Sequence, residues 1–423
     1  MIFDPQIVRA QFPALRGSGV FLDAPGGTQV PQQVLDRMQA YLVQHNANQG
    51  GAFVTSRLSD EVLRQARSAM ADFLHAARPE EIVFGPNMTT LTLHLSRALA
   101  RLLRPGDRIV VTRLDHDANI SPWLLVARDT GAHLEWVDFD PHTGQLDLEG
   151  YARALEKRPR LVAFGYASNA LGTVNPVSTM VRLAQEVGAL TYVDAVQYAP
   201  HGTIDVQALG CDFLVCSAYK FFGPHVGVLY GRYDLLAEWP AYKVRPAPSL
   251  PPQKWEPGTQ NHEGLAGLLG ALEYLAWLGK TFGAAYLERY GSWPSRPRHL
   301  RMAMAVIQAY EQELGRHLLE GLLAVPGLRL YGPRDPQQMA QRVPTFAFTL
   351  DGWSPRALAE ALDRAGYYVW DGNFYALAVT QRLGLEERGG LVRVGAVHYN
   401  TLEEVQGLVE TLKRLAQHPP QTP

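Results

Sequence analysis

The chain has 423 residues, 47% apolar and 19% charged, with a formal net charge of −2. That balance predicts a large core shared by two domains, and it lacks the basic surface that nucleic acid or an acidic membrane requires of a partner. Only two cysteines occur, Cys211 and Cys216, which excludes a disulfide framework and a cysteine-built zinc site and suits a reducing cytosol.

The N-terminus carries Asp4 and no lysine-led apolar core, so it does not read as a signal peptide, and a cytoplasmic location is expected. From Glu81 onward, short apolar runs alternate with helical patterns. EIVFG, a helix through LTLHLSRALARLL and DRIVVT form one unit; HLEWVDF, a helix around LEGYARALEKR and RLVAFGY form the next. VRLAQEVGA then leads to LTYVDA, CDFLVCS and VGVLYG. Strands of this length separated by helices predict parallel pairing in an α/β sheet. A Pro-rich stretch, Arg245 to Gly258, ends the block and reads as a functional surface loop. The apolar stretch Gly264 to Gly279 holds Glu273 and is too short to span a bilayer, so it reads as a buried helix. A long amphipathic helix to about Leu323 and a second α/β pattern follow, and the terminal HPPQTP reads as disordered. The expected architecture is a large domain at 15–285 with a mostly parallel central sheet, plus a smaller α/β C-terminal domain at 290–423 packed with residues 1–14.

Open parallel sheets bind ligands beyond the carboxyl ends of their strands. The polar residues there are Asn87-Met88-Thr89-Thr90, Asp115-His116-Asp117, Ser168-Asn169, Asp194 with Gln197, and Ser217-Ala218-Tyr219-Lys220. A helix start at Met88-Thr89 suits a phosphate, because unpaired N–H groups and the helix dipole point at it. A strand-end aspartate suits a pyridinium N–H, and a lysine on a tight turn condenses with an aldehyde once its amine is neutral. Histidine stacks on aromatic rings or shuttles protons near neutral pH. Taken singly, each has a plainer reading: surface lysine, helix cap, turn former. Order and spacing separate the two readings.

In that order the sequence resembles the class V aminotransferase-fold enzymes that use pyridoxal phosphate (fold type I), in the cysteine desulfurase-like branch. SAYKFFGPHVGVLYGR, Ser217 to Arg232, is similar to the cofactor-lysine motif, and VDAVQ, Val193 to Gln197, to the aspartate–glutamine motif. LDHDANISPW, SNALGT, EPGTQN and VRVGAVHYNTLEEV supply the remaining motifs, and LDAPGGTQVP begins the series at Leu22. The resemblance implies a Schiff base on Lys220, Asp194 at the pyridine nitrogen, Gln197 near the phenolic oxygen and His116 stacked on the ring. Met88, Thr89, Ser217 and Tyr219 would hold the phosphate, with Thr259 reaching that of the neighbouring subunit. Asn169 would face the substrate, and Arg393 would grip its carboxylate. A homodimer with active sites at the subunit interface and a small amino-acid substrate follow from the same likeness; no metal is implied.

The likeness departs at the phosphate loop, where Asn87-Met88-Thr89 stands for the usual Gly-Thr-Thr, at Asp117, which replaces a frequent second histidine, and with most consequence at the C-terminal loop. Cysteine desulfurases carry a nucleophilic cysteine on a mobile loop, and aligning YYVWDGNFYALAV on Gly372 puts Tyr375 there, with Trp370 in place of an arginine. No cysteine follows residue 216. A tyrosine cannot accept and pass on sulfane sulfur as a thiolate does. The expected reaction is therefore a lyase β-elimination that releases sulfide or a thiol directly, with aminotransferase or epimerase chemistry as alternatives on the same scaffold. A non-catalytic partner protein is a reading of another class, disfavoured because Lys220, Asp194 and Arg393 are all present.

Overall fold

The structure, a computed structural model, describes residues 1–420; within the tail expected to be disordered, Gln421–Pro423 lie outside the described residues. Among the described residues thirteen strands are formed, beginning with a short β1 (Val20–Phe21). The expected apolar runs become β2 (Ile82–Gly85), β3 (Arg108–Thr112), β4 (His133–Val137), β5 (Leu161–Gly165), β6 (Leu190–Asp194), β7 (Phe213–Ser217) and β8 (Gly227–Gly231). They make one sheet in the order β2-β8-β7-β6-β5-β3-β4. Pairing from β7 through β4 is parallel, whereas β8 runs antiparallel to both its neighbours. The sheet is mostly parallel as expected, with β8 the exception, because the link from Ser217 to Gly227 is too short for a helical crossover. Lys220 sits on that link.

Alternate residues of these strands enter two cores, as the period of two requires. Val83, Val111, Ala163, Tyr192 and Val215 pack with Leu91, Leu95 and Trp123 on one face. Phe84, Val110, Phe164, Val193 and Leu214 pack with Leu265, Leu268, Leu272 and Leu275 on the other. The helix His262–Phe282 is buried along most of its length, as its apolar composition predicts. In the Pro-rich loop, Pro251, Pro252, Lys254 and Trp255 are buried, and Trp255 Nε1 donates to Leu236 O at 2.8 Å.

The C-terminal part builds β9 (Leu328–Tyr331), β10 (Thr345–Leu350), β11 (Tyr367–Tyr368), β12 (Trp370–Gly372) and β13 (Leu391–Gly395). Four of these form an antiparallel sheet ordered β12-β13-β10-β9, while β11 pairs in parallel with β1. Asp23 extends this N-terminal attachment by bridging to Gly395. The helix Ser295–Leu323 joins the two cores: Leu300, Met304 and Ile307 enter the first, and Leu314, Leu318 and Leu322 the second. At its centre the buried Glu311 meets His201 Nδ1 at 2.6 Å and accepts from His398 N–H at 2.9 Å. No helix among the described residues is long and apolar enough to cross a membrane.

Candidate active site

Because β2 runs parallel to β3, β5, β6 and β7, the polar segments after all five emerge at one edge of the sheet. β7 ends in Ser217, and one 3₁₀ turn, Ala218–Lys220, swings the lysine back over that edge. Lys220 is buried, and its amine donates to Pro25 O at 2.7 Å and Gly26 O at 2.8 Å. The strap that carries those carbonyls is fixed by Thr28, whose N–H donates to Tyr219 O and whose Oγ1 accepts from Phe222 N–H at 2.8 Å. Burial and the nearby Arg393 lower the lysine to about 7, against the opposing pull of Asp194 and Asp23. A large neutral fraction at physiological pH is what carbonyl chemistry demands of this amine.

Asp194 ends β6. Burial raises its carboxyl to about 6, while the Val196 N–H, donated to Oδ1 at 2.9 Å, and Lys220 pull it back. Behind it stands Asp115, fully enclosed and accepting from Thr112 Oγ1 at 2.9 Å. Burial and the charge of Asp194 hold Asp115 well above the usual carboxylate range. His116 is half-buried, and its Nδ1 accepts from the Ala118 N–H at 3.0 Å, which leaves the ring proton on Nε2. Burial, Lys220 and Arg393 lower it to about 4, so the imidazole is neutral. Gln197 is buried and donates from Nε2 to Thr345 Oγ1 at 3.1 Å, leaving its Oε1 enclosed without a partner.

At the other end of the cluster, the helix Met88–Ala100 is capped by Asn87, which accepts from the Thr90 N–H at 2.9 Å. Its first N–H, on Met88, donates to Ser217 Oγ at 3.1 Å. A Cβ at Gly227 would lie 2.4 Å from the Asn87 carbonyl carbon, so only bare backbone lets the helix start approach β8 this closely. Thr89 is exposed beside this helix start, and Tyr219 is half-buried and stacked on His225 at 4.8 Å. Thr259 stands apart, exposed on the loop after Glu256, which Arg67 and the Phe84 N–H hold in place.

The C-terminal sheet closes the site. Arg393 on β13 is buried, donates to Asn169 O at 2.9 Å and leaves its Nε enclosed without a partner. Burial lowers its guanidinium to about 9, which leaves it charged at neutral pH. Phe374 lies against it, ring centroid to guanidinium carbon 4.3 Å. The Phe374 carbonyl accepts from Asn169 Nδ2 at 2.8 Å, and the Tyr375 carbonyl accepts from the Asp117 N–H at 2.7 Å. The Tyr375 ring stacks on His116 at 5.6 Å and 18° and is 74% exposed. Trp370 packs over Gly26, where a Cβ would lie 2.1 Å from its Nε1.

Lys220, Asp194, Gln197, His116, Asn169, Arg393, Ser217 and Met88 thus fall in one cluster, with Thr89 and Tyr219 at its margin and Thr259 outside it. Sequence reasoning missed Asp23, the Pro25 and Gly26 carbonyls and Phe374. LDAPGGTQVP was the only signal for the first two, since an acid and two glycines directly after an apolar run mark a strand-end turn. Asp115 was in view at a strand end but received no role.

A family model described as Aminotransferase class-V matches residues 20–290 and 298–408. This chain belongs to that family. It is 35% identical to a cysteine desulfurase of Synechococcus elongatus across 98% of its own length, spanning 64% of that longer protein. An aminotransferase-like protein of Gibberella zeae is 34% identical, with 97% of this chain and 98% of the relative covered. Among solved structures, the apo cysteine desulfurase of Thermococcus onnurineus superposes with a TM-score of 0.85 at 27% identity, covering 99% of this chain and 100% of that one. The Escherichia coli cysteine desulfurase CsdA gives 0.82 at 26%, covering 99% of each. The chain is a pyridoxal-phosphate-dependent enzyme, fold type I, of the cysteine desulfurase-like branch. The site fits that cofactor: it combines a buried, readily neutral lysine with enclosed, unpartnered atoms on Gln197, Asn169 and Arg393 that await polar partners.

Proposed function

We propose that this enzyme is a lyase that eliminates the β-substituent of an amino acid, with sulfide or a thiol as the leaving group, and that no protein cysteine takes part. One observation carries the reading: Tyr375 occupies the loop position beside His116, while both thiols are shut in the core. Cys211 is 1% and Cys216 0% exposed, and burial pushes both thiols well above their ordinary range. A protonated, inaccessible thiol neither attacks sulfur nor hands it on.

In this reading Lys220 anchors the cofactor, Asp194 holds the pyridine N–H, Gln197 meets the phenolic oxygen and His116 covers the ring. The Met88 and Thr89 helix start, Ser217 and Tyr219 receive the phosphate, joined by Thr259 of a second copy. When bound, the cofactor supplies a conjugated ring that accepts the electron pair freed at the substrate's Cα. Arg393 orients the substrate carboxylate with Asn169 alongside. Lys220 removes the Cα proton, and its lowered pKa matches that task near neutral pH. The neutral His116 offers its Nε2–H as a hydrogen-bond donor to the departing thiolate, which leaves as the anion or takes its proton from solvent.

The segment 15–285 thereby contributes the cofactor groups and 290–423 the carboxylate arginine. A homodimer is favoured by exposed apolar side chains at Leu42, Val43, Phe53 and Val54 and at Val244 and Leu250. Two reduced, buried cysteines suit the cytoplasm.

Product analysis on a panel of amino acids tests the reading. Elimination yields a keto acid, ammonia and sulfide or thiol in equal amounts. A new amino acid formed from an added keto acid would show transamination instead, and a change of chirality alone would show epimerisation.

A further inference from the structure

Asp23 lies where the N-terminal strap passes between the lysine turn and the carboxylate arginine. Its backbone bridges to Gly395, two residues beyond Arg393 on β13. The approach is tight, since a Cβ at Gly395 would lie 2.2 Å from Pro25 Cγ. Two and three residues further on, Pro25 O and Gly26 O receive the Lys220 amine. Asp23 is half-buried, yet its Oδ1 is fully enclosed and has no hydrogen-bond partner. Three ionisable groups face it from the packed elements: Arg393 on β13, Lys220 on the turn after β7, and Tyr399 after β13. Arg393, though buried, also has an unsatisfied donor.

We propose that Asp23 is the resident anion of the carboxylate subsite: it balances Arg393 and Lys220 while that subsite is empty and takes up a proton when a ligand carboxylate docks on Arg393. The inference rests on the reading of Arg393 given above. Two carboxylates beside one guanidinium in a dry site repel each other, so the second charge is admitted at lowest cost when the first is neutralised. Asp23 is suited to that exchange, because burial raises its carboxyl to about 6 while Arg393 and Lys220 restrain it. An amino-acid substrate arrives with a proton on its ammonium that must leave before the nitrogen can attack. Asp23 is a positioning residue that offers this proton a place.

The probe is propionate, a carboxylate with no amine, titrated calorimetrically into the cofactor-loaded enzyme. A site competent only with Asp23 protonated binds propionate on the order of twentyfold more tightly near pH 5.5 than near pH 7.5. Binding near pH 7.5 then takes up about one proton, read from two buffers of different ionisation enthalpy. Asp23→Asn should bind near pH 7.5 as tightly as the wild type does near pH 5.5, with no pH dependence and no proton uptake. Flat wild-type binding, or an Asn variant that binds more weakly or keeps the pH dependence, overturns the proposal; the last outcome would transfer the titration to Asp194. Propionate binding indifferent to Arg393→Lys overturns the reading of Arg393 itself. Should Asp23→Asn fail to fold, wild-type proton uptake decides alone: about one proton supports the proposal and none overturns it.

Discussion

The Phe374 ring lies 4.3 Å from the Arg393 guanidinium carbon, presented by backbone that is left-handed at both Phe374 and Tyr375, with φ of 57° and 58°. Such residues cost about 1–2 kcal/mol each outside glycine and persist only where surroundings over-determine them. Here Asn169 and Asp117 donate to the loop carbonyls, and Asn373, held by Glu386, accepts from the Tyr375 N–H. The loop is a built wall that fixes one face of His116 and one face of Arg393.

Phe374→Gly removes the left-handed penalty along with the ring. The ring is half-buried against the large core, so its loss offsets the relieved backbone and the variant should stay within about 2 kcal/mol of wild type, while KM for the amino acid rises several-fold and kcat changes little. Thermal denaturation beside steady-state kinetics reads both. A loss of stability with unchanged KM would make the ring ordinary packing.

Lys220 is neutral above its pKa of about 7 and charged below it. Covalent uptake of pyridoxal phosphate by the apo-protein, trapped with borohydride, should therefore rise with pH through about 7 and level off above it. A rise centred near the ordinary lysine range would show that burial and Arg393 do not act as described. Lys220→Arg should lose the component of trapping that rises through about 7, leaving only the slow labelling of exposed lysines such as Lys157 at high pH.

Asp115 and Asp194 are neighbours with opposite expected tolerance. Burial and Asp194 disfavour the charged form of Asp115, so Asp115→Asn, its neutral isostere, should leave kcat within a few-fold of wild type. In the proposed reading Asp194 partners the ring nitrogen, so Asp194→Asn should lower kcat by about 10²-fold or more. Equal losses from both would mean that the pair shares its charge.

Glu311 ties two loops to the helix Ser295–Leu323, since His201 follows Gln197 by four residues and His398 follows Arg393 by five. His398 Nε2 in turn meets the Tyr274 hydroxyl at 2.6 Å. Glu311→Ala strands those groups in a dry core, and the variant should lose about 3–5 kcal/mol in urea denaturation. A loss below about 1 kcal/mol would show that the network contributes little.

The central sheet was legible because its strands are short, mostly apolar and separated by helical periods, and because a strand end is where ligands meet it. Lys220, Asp194 and His116 could be read from that rule combined with motif order. β8 could not, since periodicity carries no strand direction; only the short link after Ser217 hinted at reversal. Asp23 and Phe374 escaped for a different reason: their positions depend on contacts with Gly395 and Arg393, more than 370 residues and 19 residues away in sequence. The left-handed backbone at Phe374 and Tyr375 has no sequence signature, because neither residue is one that favours it.

The most direct test of catalysis without a protein thiol is turnover by the Cys211→Ala, Cys216→Ala double variant, using the best amino acid from the product screen. The cysteine-free protein should release product at close to the wild-type rate, and adding Lys220→Ala should abolish release. Loss of product release in a folded, cofactor-loaded double variant would contradict the account.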